Sequence, residues 1–171
     1  MLRLLRSLIT NELPHMLEDP SIWTSIDINY EPPRVERLWT NVADGMRLNL
    51  HRIHPCVKAL LHPHPWPSAV VIGDGIYEME TGYSSSDTAS PVIVATMLLS
   101  AGSGYEMIHP HGWHSVRPIG GPSLSVMLTG KPWETPGLSH PGKDVKHPSL
   151  TQIALRDLLY AFRVLYPRIK G

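Results

Sequence analysis

Five of the ten histidines in this 171-residue chain fall in two short clusters. The first is His62-Pro63-His64, and the second is the hexapeptide HPHGWH at residues 109–114. In an extended strand, residues i and i+2 point to the same side about 6.6 Å apart. Two imidazoles spaced in this way can converge on one ion about 2.0 to 2.1 Å from each ring nitrogen. The two clusters together predict a transition-metal site.

Prolines at positions 63, 65 and 67 constrain the first cluster. A polyproline II segment has three residues per turn, so it would not align residue i with residue i+2. A shared ion therefore requires that His62 and His64 lie in locally extended β-structure, at a sheet edge or a strand end. A solvated proline-rich loop remains the alternative for this cluster taken alone.

Composition limits the classes of partner. Fifteen basic and fifteen acidic residues leave no formal net charge, which disfavours nucleic acid and anionic membranes as partners. Cys56 is the only cysteine, so an internal disulfide framework and a thiolate-rich metal site are excluded. No apolar run is long enough for a signal peptide or a membrane span, so we expect a cytoplasmic protein with a small-molecule ligand.

The middle of the chain has the pattern of a β-protein. Its apolar runs are short, rich in β-branched residues and separated by Gly, Pro, Asp or Ser. This pattern predicts a sandwich or barrel. The predicted strands lie within residues 34–42, 46–54, 57–61, 69–82, 91–100, 105–110, 114–118 and 123–129.

Helices are predicted at both ends of a single domain. Residues 1–33 form an N-terminal helical and irregular segment, with two short helices broken near Pro14. Residues 34–130 form the β-barrel, and residues 131–148 a loop rich in Gly and Pro. The last helix covers residues 149–166, with Ser149 and Gln152 as a capping box and Pro167 as its stop. Its apolar face is expected to pack on the outside of the barrel.

The first cluster resembles one motif of the cupin superfamily, whose members are small β-barrels of the jelly-roll type. That motif has the form G, five residues, H-x-H, three or four residues, E, six residues, G. His62 and His64 supply its histidine pair, and Gly75 lies where its closing glycine belongs. Cys56 stands in place of the opening glycine.

The second cluster resembles the other cupin motif, G, five residues, P-x-G, two residues, H. Gly104, Pro110 and Gly112 match in register, and His114 lies one residue early. The whole resemblance covers about residues 45–130. It implies a cupin-type barrel, or double-stranded β-helix, with His62, His64 and His114 as metal ligands.

The third ligand has an alternative. His109 and His111 would share one strand face and His114 the other, unless Gly112 forms a bulge that resets the alternation. Without such a bulge, His109 or His111 would take the place of His114.

One departure from the cupin pattern favours a particular chemistry. Ser68 occupies the position of the metal-binding glutamate. Three neutral imidazoles leave a divalent ion with its full charge of +2, which favours an anionic substrate. Such a site resembles that of the three-histidine thiol dioxygenases, which use Fe(II) to add both atoms of O2 to a thiol sulfur, and that of the β-diketone-cleaving dioxygenases. Zn, Mn and Ni are the alternative metals.

Substrate-binding candidates follow from charge and position. A substrate carboxylate would pair with an arginine, so Arg37, Arg47, Arg52 and Arg117 are candidates. The end of the barrel resembles that of cysteine dioxygenases, in which a serine, a histidine and a tyrosine alternate along one strand; Ser125 is retained, and Met127 and Thr129 replace the other two. This difference argues against cysteine itself as the substrate. The remaining candidates are His51, Ser68, Trp66 and Tyr77.

The resulting hypothesis is a mononuclear non-haem Fe(II) dioxygenase, an oxidoreductase that acts on a small thiol or a similar anionic bidentate substrate with O2. The alternatives are a non-catalytic cupin that binds a metal or a small molecule as a sensor, and a Zn- or Mn-dependent isomerase of sugar-like substrates. Cupins often dimerise, so a homodimer is left open.

Overall fold

The computed structural model describes residues 1–86, 90–134 and 145–169. Within these ranges the helices are α1 (Leu2–Asn11), α2 (Leu13–Glu18) and α3 (Gln152–Ile169), with a 3-10 turn at Pro20–Ile22. The strands are β1 (Thr24–Ile28), β2 (Val35–Asn41), β3 (Arg47–Ile53), β4 (His62–Pro63), β5 (Ser68–Asp74), β6 (Ile76–Tyr83), β7 (Val92–Ser100), β8 (Gly104–Met107), β9 (Gly112–Pro118) and β10 (Ser123–Thr129).

The strands form two antiparallel sheets. The larger sheet has the order β1-β2-β3-β10-β5-β8 and the smaller sheet the order β4-β9-β6-β7. Several neighbours are far apart in sequence, such as β3 with β10 and β4 with β9, which is the connectivity of a jelly roll. The predicted β-barrel with flanking helices is thereby confirmed.

The main hydrophobic core lies between the larger sheet and the helices. Alternate residues of β3 and β10, such as Leu48, Leu50, Val126 and Leu128, point outward and are fully buried. They pack with the apolar faces of the helices in one cluster, because a strand sends successive side chains to opposite faces. The other face of the same sheet points into the barrel and carries the polar residues described below.

Helix α3 docks closely on β5. A Cβ atom added at Gly73 would lie 2.6 Å from Leu165 Cδ2 and 3.0 Å from Ile169 Cγ2, so these side chains of α3 occupy the space that a side chain at position 73 would need. Helix α3 therefore packs on the outside of the barrel, and its bounds differ from the predicted 149–166. The helix begins at Gln152, and the Thr151 hydroxyl, rather than Ser149, accepts from the backbone N–H of Ala154 at 3.2 Å.

Proline had less effect on the helices than predicted. Pro167 lies inside the last turn of α3, which continues to Ile169. The two N-terminal helices are separated at Glu12, and Pro14 lies in the first turn of α2, where its missing N–H needs no partner.

Two strand predictions required correction. Residues 57–61 form no strand; the extended backbone begins only at His62. Strand β1 was not predicted, because its sequence TSIDI is short and only partly apolar. It pairs with β2 at the edge of the larger sheet and contributes one wall of the cavity described below.

No helix among the described residues is both long enough and apolar enough to cross a membrane.

Candidate metal centre and its cavity

Strand pairing brings the two histidine clusters together. His62 in β4 lies directly opposite His114 in β9, and His64 follows two residues after His62. The ring centroids of His114 lie 4.7 Å from His62 and 4.6 Å from His64. The two clusters, fifty residues apart in sequence, therefore form one group on the inner face of the barrel.

The irregular segment that carries His62 and His64 is held in place by hydrogen bonds that its carbonyl groups accept. Pro65 and Pro67 have no N–H to donate, but their carbonyl oxygens accept from the backbone N–H groups of Trp133 at 3.1 Å and Gly130 at 2.8 Å. The Trp133 indole also donates to the His64 carbonyl at 3.1 Å. The prolines thus end the sheet ladder while the segment stays fixed.

Hydrogen bonds on the outer ring nitrogens orient two of the three imidazoles. His62 Nδ1 lies 3.1 Å from the Leu60 carbonyl oxygen, which can only accept, so Nδ1 carries the proton and Nε2 keeps its lone pair. His64 Nδ1 lies 3.0 Å from the hydroxyl of Ser68, a fully buried residue. Such outer partners fix the tautomer and ring orientation of metal-binding histidines.

The inner nitrogens are spaced for a common ion. One ring nitrogen from each of His62, His64 and His114 lies within 4.8 Å of the others. His64 Nε2 and His114 Nε2 are 3.0 Å apart, the separation of two ligands at right angles about 2.1 Å from one ion. Burial lowers the pKa of His62, aided by the charge of Arg37. The donor set therefore fits a divalent metal with neutral imidazole ligands.

The group opens onto a cavity of about 560 Å³. All three histidines line it, together with residues of β1, β2, β3, β5, β8, β9 and β10. Most of the wall is apolar or aromatic, including Ile26, Ile53, Val70, Trp66 and Trp133. A cavity of this size and lining is typical of a small-molecule site.

A polar row crosses the wall of the larger sheet. Arg37 in β2 pairs with His51 in β3, and His51 pairs with Ser125 in β10. All three line the cavity. Burial lowers the pKa of Arg37 to about 10, so its guanidinium remains charged at neutral pH. Burial, reinforced by the charge of Arg37, lowers the pKa of His51 well below its usual value and keeps this ring neutral.

The other three arginine candidates lie away from the cavity. Arg52 forms ion pairs with Glu36 at 3.0 Å and with Asp157 of α3 at 2.8 Å. Arg117 pairs with Glu78 at 3.0 Å, and the Arg47 guanidinium lies over the Trp39 ring at 4.4 Å. None of the three lines the cavity, so they are not placed to contact a ligand beside the histidines.

His109 and His111 also lie outside the three-histidine group. They precede β9 in a turn closed by the bond from the Gly112 N–H to the His109 carbonyl at 3.0 Å, and both rings lie beside Tyr83. The expectation that they share a strand face is wrong, because the strand begins only at Gly112. The argument that strand alternation places His114 on the face opposite His109 and His111 consequently does not apply.

The remaining candidates divide between the cavity wall and the layer behind it. Trp66 and Ser125 line the cavity, whereas Ser68 and Tyr77 are fully buried behind it. The Tyr77 hydroxyl donates to that of Tyr105 at 3.2 Å, and Tyr105 does line the cavity. Burial raises the pKa of Tyr105 to about 12.

Sequence reasoning missed the wall formed by the N-terminal third of the chain. Ile26 and Ile28 of β1 line the cavity, although residues 1–33 were expected to be helical or irregular. The alternation of isoleucines in TSIDI is the signal that could have identified this strand.

Comparison with known proteins was informative at the level of structure alone. No family model and no curated protein sequence matches the chain. Fe(II)-HppE with the alternative substrate (S)-1-HPP is similar over 65% of this chain and 57% of its own, with 12% identity and a TM-score of 0.52. Hydroxypropylphosphonic acid epoxidase from S. wedmorenis gives 13% identity, a TM-score of 0.50 and coverage of 65% and 56%. The chain has a cupin fold.

An RmlC-like cupin from Shewanella frigidimarina NCIMB 400 is also similar, with 13% identity and a TM-score of 0.47 over 67% of this chain and 88% of that one. The chain spans little more than half the length of the HppE proteins. At these identities the likeness to the two HppE structures shows the fold alone, and the activity has to be argued from the site.

Proposed function

We propose that this cupin is a mononuclear Fe(II)-dependent dioxygenase of a small anionic substrate, with a thiolate or a similar bidentate anion as the group that meets the metal. The observation that carries the proposal is the convergence of three imidazoles, with no carboxylate among the described residues of the group, on a cavity that also contains Arg37. An uncompensated divalent charge beside a guanidinium favours a substrate that arrives as an anion.

His62, His64 and His114 would hold the metal from one side. The Leu60 carbonyl and the Ser68 hydroxyl keep the ring nitrogens of His62 and His64 directed at it. The cavity on the other side leaves space for the substrate and O2. When bound, Fe(II) supplies Lewis acidity and a one-electron couple that allows O2 to react with the substrate.

The overall reaction balances without a further reductant. For a thiolate, RS⁻ and O2 give RSO2⁻, in which both oxygen atoms bond to sulfur and the four electrons gained by O2 come from that sulfur. The chain's own contribution is to orient the anion, keep water out of an apolar cavity and leave the imidazoles neutral. The Fe(II) named for HppE supports iron as the metal, whereas the imidazole set by itself also suits Zn, Mn or Ni.

The test is metal analysis and oxygen uptake on protein prepared without a histidine tag. We expect close to one iron per chain after anaerobic loading, and O2 consumption when a panel of small thiols and other bidentate anions is added. His62→Ala, His64→Ala and His114→Ala should each abolish both. His111→Ala is the matched control, since it removes a histidine of the same cluster that lies outside the group.

Three outcomes would contradict the proposal in different ways. Stoichiometric metal without O2 uptake for any substrate would favour the non-catalytic sensor. Retention of zinc or manganese with isomerisation of a sugar-like compound would favour the isomerase. Metal binding that is unaffected by His62→Ala would exclude the three-histidine centre itself.

A further inference from the structure

Arg37 differs from the other arginines of the described β-structure because it lines the cavity and has neither an acidic partner nor an aromatic ring stacked on it, whereas the Arg47 guanidinium lies over Trp39. Arg34, Arg52 and Arg117 each form an ion pair with a carboxylate. Among the described residues Arg37 forms none, and its Nε is buried without a hydrogen-bond partner. A guanidinium turned toward a cavity without a counter-ion is costly unless a ligand supplies the negative charge.

Two neighbours of Arg37 complete a polar patch. His51 and Ser125 lie beside it on the next two strands, in direct register, and both are buried. His51 Nε2 has no hydrogen-bond partner among the described residues. Hydroxyl, imidazole and guanidinium groups in one row can together satisfy the oxygens of a carboxylate. Arg37 is close enough to His62 for its charge to act on that ring, so the patch and the histidine group share one ligand-sized space.

The rest of the cavity is unsuited to a small polar ligand. Its volume of about 560 Å³ would hold roughly 19 water molecules at about 30 Å³ each. Most of the wall beyond the polar row and the histidines consists of aliphatic, aromatic and proline side chains, among them Ile28, Val35 and Leu60. Such a wall gains free energy from an apolar ligand body.

The described lining of the cavity offers no buried counter-ion for an ammonium group. Among the described lining residues, Glu31 is the one carboxylate. Its side chain is exposed, and it forms no ion pair with Arg37. An amino-acid zwitterion would therefore place its positive charge in a site that already contains a guanidinium and, when loaded, a divalent metal.

We propose that the natural ligand is an organic anion with a sizeable apolar body and no cationic group, whose carboxylate or equivalent anionic head is bound by Arg37 with His51 and Ser125. The apolar body fills the space between β1 and the part of the wall formed by Trp66 and Trp133. This assignment rests on the proposed function only in that the reacting end of the same molecule would reach the three histidines; recognition of the anion by Arg37 requires no metal.

The experiment measures binding of a matched set of probes to metal-free protein by calorimetry, with fluorescence of Trp66 and Trp133 as a second readout. The probes are 3-phenylpropanoate, its neutral amide 3-phenylpropanamide, the zwitterion L-phenylalanine, and acetate. We expect 3-phenylpropanoate to bind at least tenfold more tightly than the amide and the zwitterion. Acetate should bind at least a hundredfold more weakly, because it has no ring to bury.

Variants assign the preference to the residue. Arg37→Gln should reduce the preference for the anion over the amide to less than threefold, and Arg37→Lys should restore most of it. Arg117→Gln is the matched control, since it removes an arginine outside the cavity, and it should behave like the wild type. Circular dichroism shows whether each variant is folded, and the iron content of parallel samples loaded with Fe(II) without O2 shows whether it retains the metal site.

Equal binding of the anion and the amide by the wild type would overturn the proposal. It would likewise be overturned by a full anion preference in folded Arg37→Gln protein, by tighter binding of L-phenylalanine, or by no binding of either phenylpropyl probe. The two proposals are tested separately. Iron content of the histidine variants tests the metal centre, whereas the preference of metal-free protein for the anionic probe tests only the role of Arg37.

Discussion

The hydroxyl of Ser68 provides a sensitive test of how the metal centre is held. It lies 3.0 Å from His64 Nδ1, and Ser68 is fully buried, so water cannot replace it in Ser68→Ala. Loss of an outer-shell partner of a metal-binding histidine typically lowers metal affinity about 10- to 100-fold, or about 1.4 to 2.7 kcal/mol. This range agrees with the cost of about 1 to 3 kcal/mol for leaving a buried donor without an acceptor.

The assay is an anaerobic Fe(II) titration in competition with a chromophoric chelator. Ser123→Ala serves as the control, because Ser123 is also fully buried and its hydroxyl has no hydrogen-bond partner among the described residues. We expect Ser68→Ala to weaken Fe(II) binding by one to two orders of magnitude and Ser123→Ala to leave it within twofold. Equal affinities for the two variants would refute the role given to Ser68 and the choice of Nε2 as the ligand atom of His64.

Other predictions concern the barrel and its helices. Gly73→Ala should lower the free energy of unfolding in urea by about 1 to 3 kcal/mol, because its Cβ would collide with a leucine of α3. Gly121→Ala is the control and should have no effect, since its Cβ would meet nothing within 4 Å. Equal effects of the two substitutions would contradict the close docking of α3. Burial lowers the pKa of folded His51 well below the ordinary histidine value of about 6.5, so the unfolded state takes up the proton first and stability falls as the pH drops below about 6.5. In metal-free protein, His51→Gln should make this fall shallower by up to about 1.4 kcal/mol per pH unit, and an unchanged slope would contradict the buried neutral ring. Tyr105→Phe should lower the free energy of unfolding by about 1 to 2 kcal/mol. The double variant with Tyr77→Phe should lose less than the sum of the two single losses, because both ends of the buried hydroxyl pair are then removed together. Strictly additive losses would show that the two hydroxyls are not coupled.

Much of the fold was predictable because alternation is a local property. Strands such as β3 and β10 carry apolar residues at every second position, facing the helix-covered core. Strand β4 is only two residues long, and its extended conformation depends on pairing with β9, fifty residues away. Propensity within a window of sequence cannot predict such a strand, so extended structure at His62 and His64 was inferred only as a condition for a shared ion, and the strand predicted from the pattern was 57–61.

The pair His62 and His64 was predicted from its spacing, whereas His114 was predicted from the cupin motif alone, with His109 or His111 as the alternative. The geometry that unites them lies in the cross-strand pair between His62 and His114. His109 and His111 could not be eliminated from sequence, because the start of β9 depends on a turn whose closing bond involves Gly112.

The choice among the arginines was beyond the reach of sequence. Arg37, Arg47, Arg52 and Arg117 all lie in or beside predicted strands, and nothing in their local pattern separates them. Three are engaged by an ion pair or an aromatic ring contributed by another strand or helix. Only the assembled barrel shows which guanidinium is left for a ligand.

The most direct test of the metal centre is a crystal structure of the protein loaded with Fe(II) in the absence of O2, with anomalous data collected at the iron edge. We predict a single anomalous peak in the cavity, bound by Nε2 of His62, His64 and His114 at about 2.0 to 2.2 Å, with the remaining positions open toward Arg37. A peak at His109 or His111, or iron that leaves any one of the three imidazoles unbound, would contradict the three-histidine centre.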